Sequence, residues 1–326
     1  MITPIKTSPV FKQYIWGGSA LKDKYNKNIP DNFAAESWEI SCHRDGMSLV
    51  SEGEYAGKTL CEVVMSDKEN MLGDENMEQF PLLVKLLDAN DNLSVQVHPD
   101  DEYAAINENG SLGKTEMWYV VDAKPGAKLV YGLKDGVTKE QFAEAIDEGT
   151  LEDLLNYVEV KPGDAFFIPS KTLHAIGKGL LIAEIQQSSN TTYRVYDYNR
   201  TDANGNKREL HTAKALDVTS LEDVEGKERV VPVPYPADGA EAGVISLCEF
   251  FAVIKYSLDG ETTIVPPCRR FEMLICTEGA CEIVYDGGSM AVDAGDSIFV
   301  PASLGSYSIK GACQMLRSFV PDKSEF

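Results

Sequence analysis

A motif that occurs twice in the chain limits what it can fold into more than any other feature. The letters PGDAFFIP stand at residues 162–169 and AGDSIFVP at residues 294–301, so that Gly163 and Gly295 are 132 residues apart. Each copy has a Gly-Asp turn, a run of residues that favours a strand, and a terminating proline. A duplicated strand motif predicts two related β units in one chain.

A second pair of matching segments shows how the two units differ in length. The letters EM at 116–117 match EM at 272–273, and both pairs precede a strand pattern, but they are 156 residues apart. The difference between 156 and 132 predicts that the first unit carries an insertion of about 24 residues. We therefore expect the second unit to resemble the first with this insertion left out.

The predicted insertion is a helical hairpin at about 138–158. Thr138 and Gln141 have the spacing of a capping box, which predicts a first helix over Thr138–Glu148. Gly149 ends this helix, and a second helix is predicted over Thr150–Val158. Shorter helical patterns occupy two other segments, Thr59–Leu72 and Asp100–Asn107.

Most of the remaining chain consists of short strand patterns separated by glycine, proline and aspartate, which predicts a mainly β protein. Prolines at 232, 234 and 236 cannot donate hydrogen bonds to a sheet and mark a linker. We therefore predict an N-terminal domain over 1–230 and a C-terminal domain over 231–326. The clearest strand candidates are Leu93–Val97, Met117–Val121, Ala165–Ile168, Leu180–Gln186, Phe251–Tyr256, Glu282–Tyr285 and Ser297–Val300.

The first copy of the repeated motif resembles the second conserved motif of the cupin superfamily, and it leads to His174. Gln96 and His98 stand two residues apart on a predicted strand, so their side chains leave the same face. Glu116 opens the next strong strand pattern. Two imidazoles and a carboxylate, with an amide oxygen beside them, match the composition of catalytic zinc sites that keep one open position.

A single histidine in a β domain is more often structural than a metal ligand. This chain has only four histidines, and two of them, His98 and His174, fall at cupin ligand positions. We interpret His43 and His211 as surface or loop residues. The second unit has Ser306 where the repeat would place a ligand histidine. We therefore predict one Zn²⁺ per chain and a degenerate C-terminal barrel without metal ligands.

Longer stretches of the first 215 residues resemble the type I mannose-6-phosphate isomerases in their short bacterial form. The resemblance implies two cupin-like (jelly-roll) barrels, the first with the small helical insertion, and the interconversion of mannose 6-phosphate and fructose 6-phosphate. It also implies zinc held by Gln96, His98, Glu116 and His174, with Arg194 in the active site. A chain of 326 residues has no room for the large helical domain of longer family members. The similar stretches are YIWG at 14–17, ESWEIS at 36–41, PLLVKLLD at 81–88, LSVQVHPD at 93–100, GKTEMWY at 113–119, SSNTTYR at 188–194 and RELH at 208–211.

Aldose–ketose isomerisation moves a proton between C1 and C2 through an enediol(ate), and it needs a base and a group that stabilises charge on oxygen. Lys85 and Lys114 lie near the ligands in sequence and are candidates for either task, the alternative being solvated surface charges. The planar guanidinium of Arg194 suits a phosphate or an enediolate oxygen. Its alternative role is a salt bridge to Asp197 or Glu184.

The formal net charge of −22 excludes some partners and constrains the substrate site. An acidic surface repels nucleic acid and anionic membranes, so we predict neither as a partner. A small-molecule sugar phosphate then needs a local basic site.

The first residues lack the apolar block of a signal peptide, and the seven cysteines form no C-x-x-C pair, which favours reduced thiols in the cytoplasm. The oligomeric state stays open.

Two other functions are compatible with these patterns. The first is a cupin isomerase that acts on a different sugar phosphate, and the second is a non-catalytic sugar-binding homologue. The complete ligand set and Arg194 argue against the second.

Overall fold

The computed structural model describes residues 2–201, 204–221 and 229–322, and it is mainly β. The helices are α1 (Ala20–Tyr25), α2 (Leu60–Ser66), α3 (Lys68–Leu72), α4 (Asp101–Asn107), α5 (Lys139–Glu148) and α6 (Thr212–Val218). The strands are β1 (Ile5–Ser8), β2 (Val10–Lys12), β3 (Glu36–Ile40), β4 (Leu49–Val50), β5 (Leu82–Ala89), β6 (Val95–Val97), β7 (Glu116–Ala123), β8 (Lys128–Leu133), β9 (Leu155–Glu159), β10 (Ala165–Ile168), β11 (His174–Ile176), β12 (Leu180–Gln187), β13 (Tyr193–Tyr196), β14 (Val233–Pro234), β15 (Ala240–Leu247), β16 (Ala252–Ile264), β17 (Glu272–Tyr285), β18 (Gly288–Asp293), β19 (Ser297–Val300) and β20 (Tyr307–Phe319).

Two antiparallel sheets form the N-terminal barrel. One has the strand order β10-β7-β12-β5-β3-β2, and the other has the order β13-β6-β11-β8-β9. Apolar side chains from both sheets meet in one buried cluster, in which Trp118 and Phe166 of the first sheet lie with Leu129 and Ile176 of the second. Two facing antiparallel sheets around a common core are the jelly-roll arrangement that the sequence predicts.

The third sheet forms the C-terminal barrel and has the order β14-β15-β16-β20-β17-β19-β1-β4, with β18 paired to β17. Strand β1, from the start of the chain, pairs with β19 through Ile5 and Phe299. The first residues therefore contribute to the same sheet as residues 297–300. The division of the chain at residue 230 stays a prediction.

Strands β5 and β12, at the centre of the six-stranded sheet, are buried along their whole length. Their inner face lines the N-terminal barrel. Their outer face contributes Val84 and Ile185 to a second cluster that contains Phe299 and Leu316 of the C-terminal sheet. Burial on both faces explains the nearly continuous apolar run at 82–87, which is interrupted only by Lys85.

The predicted helical hairpin is only half correct. Helix α5 has the expected capping box, in which Thr138 and Gln141 each accept from the other's backbone N–H, and Gly149 ends the helix in a left-handed conformation. The predicted second helix over Thr150–Val158 is wrong. Residues 151–154 form a single 3-10 turn, and strand β9 follows directly and pairs with β8. The alternating pattern of β9 lets Leu155 enter the core while the strand covers the edge of the sheet.

The other short helices follow the sequence closely. Helix α4 is capped by Asp100, whose carboxylate accepts from the N–H of Tyr103. The pattern over Thr59–Leu72 contains two helices instead of one. Asp67 interrupts it because its side chain caps α3 by accepting from the N–H of Asn70. In the part of the chain that the structure describes, no helix is long and apolar enough to cross a membrane.

The repeat found in the sequence corresponds to equivalent strand pairs in the two barrels. Glu116 of β7 pairs with Ile168 of β10, and Glu272 of β17 pairs with Val300 of β19. Ile168 and Val300 are the matching residues of the two motif copies. Glu116 and Glu272 are therefore structural counterparts, and both are fully buried.

In the C-terminal barrel a buried arginine neutralises this glutamate. Arg317 donates from Nε to Oε2 of Glu272 over 2.8 Å, and its Nη2 donates to Oε1. The hydroxyl of Tyr307 donates to Oε2 over 2.6 Å. The guanidinium itself is only 1% exposed. No metal is required here because the barrel supplies its own cation.

Replacing Arg317 with methionine should destabilise the protein by about 3–5 kcal/mol, because the buried Glu272 carboxylate loses its hydrogen-bonded cation and keeps only Arg270, whose Nε is 3.8 Å from Oε1. Urea denaturation, with the unfolding midpoint and slope determined for each variant, measures this loss. The double variant R317M/E272Q removes both charges and should recover a large part of it. A loss below about 1 kcal/mol in the single variant would contradict the assigned role of the pair.

Candidate metal centre and substrate cavity

The five-stranded sheet places three of the predicted site residues in one row. Gln96 of β6 is directly opposite His174 of β11 on one side and Arg194 of β13 on the other. Residues opposite one another on neighbouring strands project from the same face of a sheet. His98 stands two residues beyond Gln96, and it therefore points to the same side.

The six-stranded sheet contributes a second row from the opposite wall. Lys85 of β5 is opposite Glu184 of β12 and Trp38 of β3, and Glu184 is in turn opposite Trp118 of β7. Glu116 precedes Trp118 by two residues and projects from the same face. The two rows face each other across the interior of the barrel, which brings Glu116 to the histidines.

The side chains of His98, Glu116 and His174 converge on one point. The Nε2 atoms of the two histidines are 3.1 Å apart. Nε2 of His98 is 3.6 Å from Oε2 of Glu116, and Nε2 of His174 is 3.3 Å from Oε1. All three residues are buried, and theirs is the one group of this kind found in residues 2–201, 204–221 and 229–322. The amide of Gln96 completes the cluster, with its Nε2 3.4 Å from Nε2 of His174.

Backbone carbonyls hold both imidazoles in the orientation that a metal requires. Nδ1 of His98 is 2.9 Å from the carbonyl oxygen of Thr191, and Nδ1 of His174 is 2.8 Å from that of Thr172. Each Nδ1 therefore donates its proton outward, which leaves the lone pair of Nε2 directed at the centre. Burial, together with the charge of Lys114, lowers the pKa of His98 well below its ordinary value and that of His174 to about 3. Both imidazoles are neutral, as metal ligands must be.

Glu116 supplies the negative charge of the cluster. Burial and the neighbouring Glu184 raise its pKa, and the positive charge of Lys114 opposes this shift. Its two oxygens are fully buried without a hydrogen bond of acceptable geometry. The ammonium of Lys114 lies 2.6 Å from Oε2 of Glu116 and 3.0 Å from Nε2 of His98. A buried carboxylate between two imidazole lone pairs fits a divalent cation better than it fits any neutral group.

Lys85 is held as a cation inside the barrel. Its ammonium is 3.3 Å from Oε1 of Glu184, 3.5 Å from Oε2 of Glu36 and 5.0 Å from the centre of the Trp38 ring. Burial acts to lower the pKa of Lys85, but Glu36 and Glu184 outweigh it, and the pKa is raised overall. This charge state suits the stabilisation of an oxyanion better than the removal of a proton.

A cavity of about 250 Å³ connects this centre to the surface. It is lined by polar and aromatic side chains from both sheets, including both predicted lysines, Gln96 and Arg194. A wider cavity of about 590 Å³ shares Asn190 and Thr192 with it, but neither the predicted metal ligands nor Lys85 and Lys114 line the wider cavity. The smaller cavity is the one that adjoins the chemistry. Its lining residues are Tyr14, Trp16, Glu36, Lys85, Leu87, Leu93, Ser94, Gln96, Lys114, Trp118, Ile176, Glu184, Asn190, Thr192, Arg194 and Arg208.

Arg194 faces this cavity and is held by the segment that follows β13. Its Nη1 donates to the carbonyl oxygen of Glu209 over 2.8 Å, and its backbone N–H donates to Nδ1 of His211. The alternative role of Arg194 was a salt bridge to Asp197 or Glu184, but both carboxylates accept hydrogen bonds from other residues. Asp197 accepts from Arg200 and Arg208, and Glu184 accepts from Trp118.

Sequence reasoning missed two carboxylates as cavity residues, since it gave Glu36 no role and considered Glu184 only as a salt-bridge partner of Arg194. Each accepts a hydrogen bond from an indole, Glu36 from Trp38 over 2.6 Å and Glu184 from Trp118 over 3.0 Å. For Glu36 a signal was present in the Glu-x-Trp spacing at 36–38, whereas Glu184 reaches Trp118 only through the pairing of β12 with β7. On a strand that spacing places a carboxylate and an indole on one face.

Comparisons with known proteins agree with this architecture. Residues 5–143 match the family model described as phosphomannose isomerase type I, catalytic domain, and residues 242–320 match the cupin domain of mannose-6-phosphate isomerase. A probable mannose-6-phosphate isomerase from Bacillus subtilis is 41% identical over 98% of this chain and 99% of its own length.

Solved structures show the same relationship. The crystal structure of the mannose 6-phosphate isomerase from Bacillus subtilis superimposes with a TM-score of 0.91 at 40% sequence identity. The match covers 97% of this chain and 99% of the Bacillus chain. A mannose 6-phosphate isomerase solved in a holo, zinc-bound form has a TM-score of 0.81 at 18% identity, over 98% of this chain and 100% of its own. The chain thus belongs to the type I phosphomannose isomerase family and is an intramolecular oxidoreductase of that class.

Proposed function

We propose that the protein interconverts mannose 6-phosphate and fructose 6-phosphate through an enediol(ate), with one zinc ion held by Gln96, His98, Glu116 and His174. One observation carries this proposal. The Nε2 lone pairs of two neutral, buried histidines meet a buried carboxylate, and this cluster adjoins a cavity lined by Gln96, two lysines and two arginines.

The donor set supports zinc as the cation. Two imidazoles and one carboxylate leave a coordination position open, as catalytic zinc sites require, and the amide of Gln96 supplies a further oxygen on rotation of its end group. The similar isomerase solved in a zinc-bound form is consistent with this choice. When bound, zinc supplies a Lewis acid that polarises and orients the oxygens of the substrate.

The side chains of the cavity account for the other needs of the reaction. Lys85, held protonated between Glu36 and Glu184, stabilises negative charge on a substrate oxygen. For the proton transfer between C1 and C2 the cavity offers Lys114 and the carboxylate of Glu184. Arg194, on the same sheet as the ligands, binds the phosphate or the enediolate with its planar guanidinium.

The seven cysteines are all free thiols, which supports a cytoplasmic location as part of the proposal. Neither alternative function is favoured by a specific observation. A non-catalytic binder would not need two buried lysines beside a complete ligand set. An isomerase of another sugar phosphate would use the same centre with a different fit to the sugar hydroxyls.

Turnover of mannose 6-phosphate in a coupled assay tests the function itself. We expect conversion to fructose 6-phosphate, faster than conversion of other aldose phosphates offered in parallel. Binding without turnover would identify a sugar-binding homologue, and preference for another aldose phosphate would identify a different isomerase.

The same reaction in heavy water should introduce deuterium at the carbon that receives the proton. Complete absence of label over many turnovers would indicate hydride transfer and not an enediol.

Metal analysis of the purified protein should find one zinc ion per chain. Replacing His98 or His174 with alanine should abolish both zinc retention and turnover. Either substitution removes one of three buried ligands and leaves a cavity beside the buried carboxylate of Glu116. His43→Ala is the matched control, since His43 lies outside the cluster, and it should retain its zinc. Stoichiometric zinc in either ligand variant would remove that histidine from the site.

Replacing Arg194 with lysine should lower kcat/KM by about 10²-fold or more, comparable to the loss of one preorganised oxyanion donor. Lysine retains the charge but lacks the planar pair of donors. Zinc content should remain at the wild-type level because Arg194 is not a ligand. Kinetics and metal content measured on one preparation decide the question, since normal kinetics would assign Arg194 to structure and lost zinc would indicate a disturbed barrel.

A further inference from the structure

Two guanidinium groups line the same small cavity, although the chain as a whole is strongly acidic. Arg194 comes from β13, and Arg208 comes from the segment that follows it. Burial, and then the positive charge of Arg208, lowers the pKa of Arg194, so the two cations are close enough to repel each other. Like charges held together in a cavity are stabilised by an anion between them.

Arg194 has an unsatisfied donor in this arrangement. Its Nη1 donates to the carbonyl oxygen of Glu209, but its Nε is fully buried and has no hydrogen-bond partner. A buried donor without an acceptor is unfavourable by about 1–3 kcal/mol, and such groups in native proteins find an acceptor in an ordered water, an ion or a ligand. An anionic ligand in the cavity would supply this acceptor to Arg194.

Arg208 is fixed in place by a carboxylate outside the reaction centre. Asp197 accepts from Nε of Arg208 over 2.7 Å and also from its Nη2. The same carboxylate accepts from Nη2 of Arg200 over 2.6 Å. Both arginines are thereby anchored on one aspartate, but only Arg208 lines the cavity. Since Asp197 occupies Nε and Nη2, Arg208 meets a ligand through Nη1.

The pair lies at the end of the cavity that opens to solvent. The side chain of Arg208 is 23% exposed, and Tyr14, which lines the same cavity, is 37% exposed. His98, Glu116 and His174 are fully buried, and of the proposed ligands only Gln96, opposite Arg194 on the neighbouring strand, lines the cavity. In a hexose 6-phosphate the phosphate and the reacting carbons are at opposite ends of the molecule. A substrate with C1 and C2 at the metal centre therefore extends its phosphate toward the two arginines.

We infer that Arg208 is a second phosphate-binding residue, and that the phosphate of the substrate is bound between Arg194 and Arg208 at the mouth of the cavity. This inference rests on the proposed function for the identity of the substrate, but it predicts anion binding by itself. Two guanidiniums offer paired donors that match the oxygens of a phosphate. Arg194 and Arg208 both line the cavity, whereas Asp197, which anchors Arg208, does not.

The test compares Arg208→Gln with Arg200→Gln. Both variants remove one arginine from Asp197, so they share any structural effect of weakening that anchor, and thermal unfolding checks that both fold. Arg208→Gln should raise KM for mannose 6-phosphate by about 10- to 100-fold, the effect of losing one charge-assisted contact, with a smaller change in kcat. Inhibition by inorganic phosphate should weaken by a similar factor. Arg200→Gln should stay within about threefold of the wild type in both measurements.

Unphosphorylated mannose separates phosphate binding from a general loss of activity. Any residual isomerisation of mannose should be equally fast in the wild type and in Arg208→Gln, because this substrate has no phosphate to lose contact with. Equal losses in Arg208→Gln and Arg200→Gln, or phosphate inhibition unchanged in Arg208→Gln, would overturn the inference.

Failure of the proposed function has a different signature. In that case the wild type does not convert mannose 6-phosphate at all, while direct binding of inorganic phosphate, measured by titration calorimetry, still distinguishes Arg208→Gln from the wild type. Absence of phosphate binding by the wild type would overturn the inference whatever the substrate is.

Discussion

A fully buried carboxylate that requires a cation is the interaction on which both halves of the molecule depend. Glu116 and Glu272 occupy equivalent positions at the start of β7 and β17, and each pairs with the last strand residue of a repeated motif. Neither charge is stable in a protein interior by itself. In the N-terminal barrel the carboxylate is surrounded by two imidazoles and the ammonium of Lys114, an arrangement suited to metal. In the C-terminal barrel Arg317 provides the positive charge directly.

The two barrels carry opposite charges at one equivalent position. Glu184 is opposite Trp118, two residues beyond Glu116, and Arg317 is opposite Leu274, two residues beyond Glu272. Glu184 is also opposite Lys85, whereas Arg317 is opposite Ile254. An acidic residue thus accompanies a lysine in one barrel, and an arginine accompanies an apolar residue in the other. In the second barrel Arg317 lies against Glu272 in a buried ion pair, so the carboxylate there needs no metal.

The sequence was sufficient to predict the structural features that depend on patterns along the chain. Spacing of two on a strand put Gln96 and His98 on one face, the repeat identified Glu116 with Glu272, and the capping box located α5. The sequence was insufficient wherever the register between distant strands determines which side chains meet. The row of Trp118, Glu184, Lys85 and Trp38 exists only because four separate strands pair in one register. The error at 150–158 has the same origin, since the edge of β8 gives that segment a partner that no local pattern reveals.

The C-terminal barrel supports the chemistry through the outer face of the six-stranded sheet. Val84 and Ile185 flank Lys85 and Glu184 in sequence, and they pack in the cluster that contains Phe299 and Leu316. Successive residues of a strand point to opposite faces, so packing that fixes Val84 and Ile185 on the outside also fixes Lys85 and Glu184 on the inside. Protein interiors are close-packed and transmit small displacements. The C-terminal barrel can therefore maintain the separation of less than 4 Å between Lys85 and its two carboxylates, on which the charge of the cavity depends.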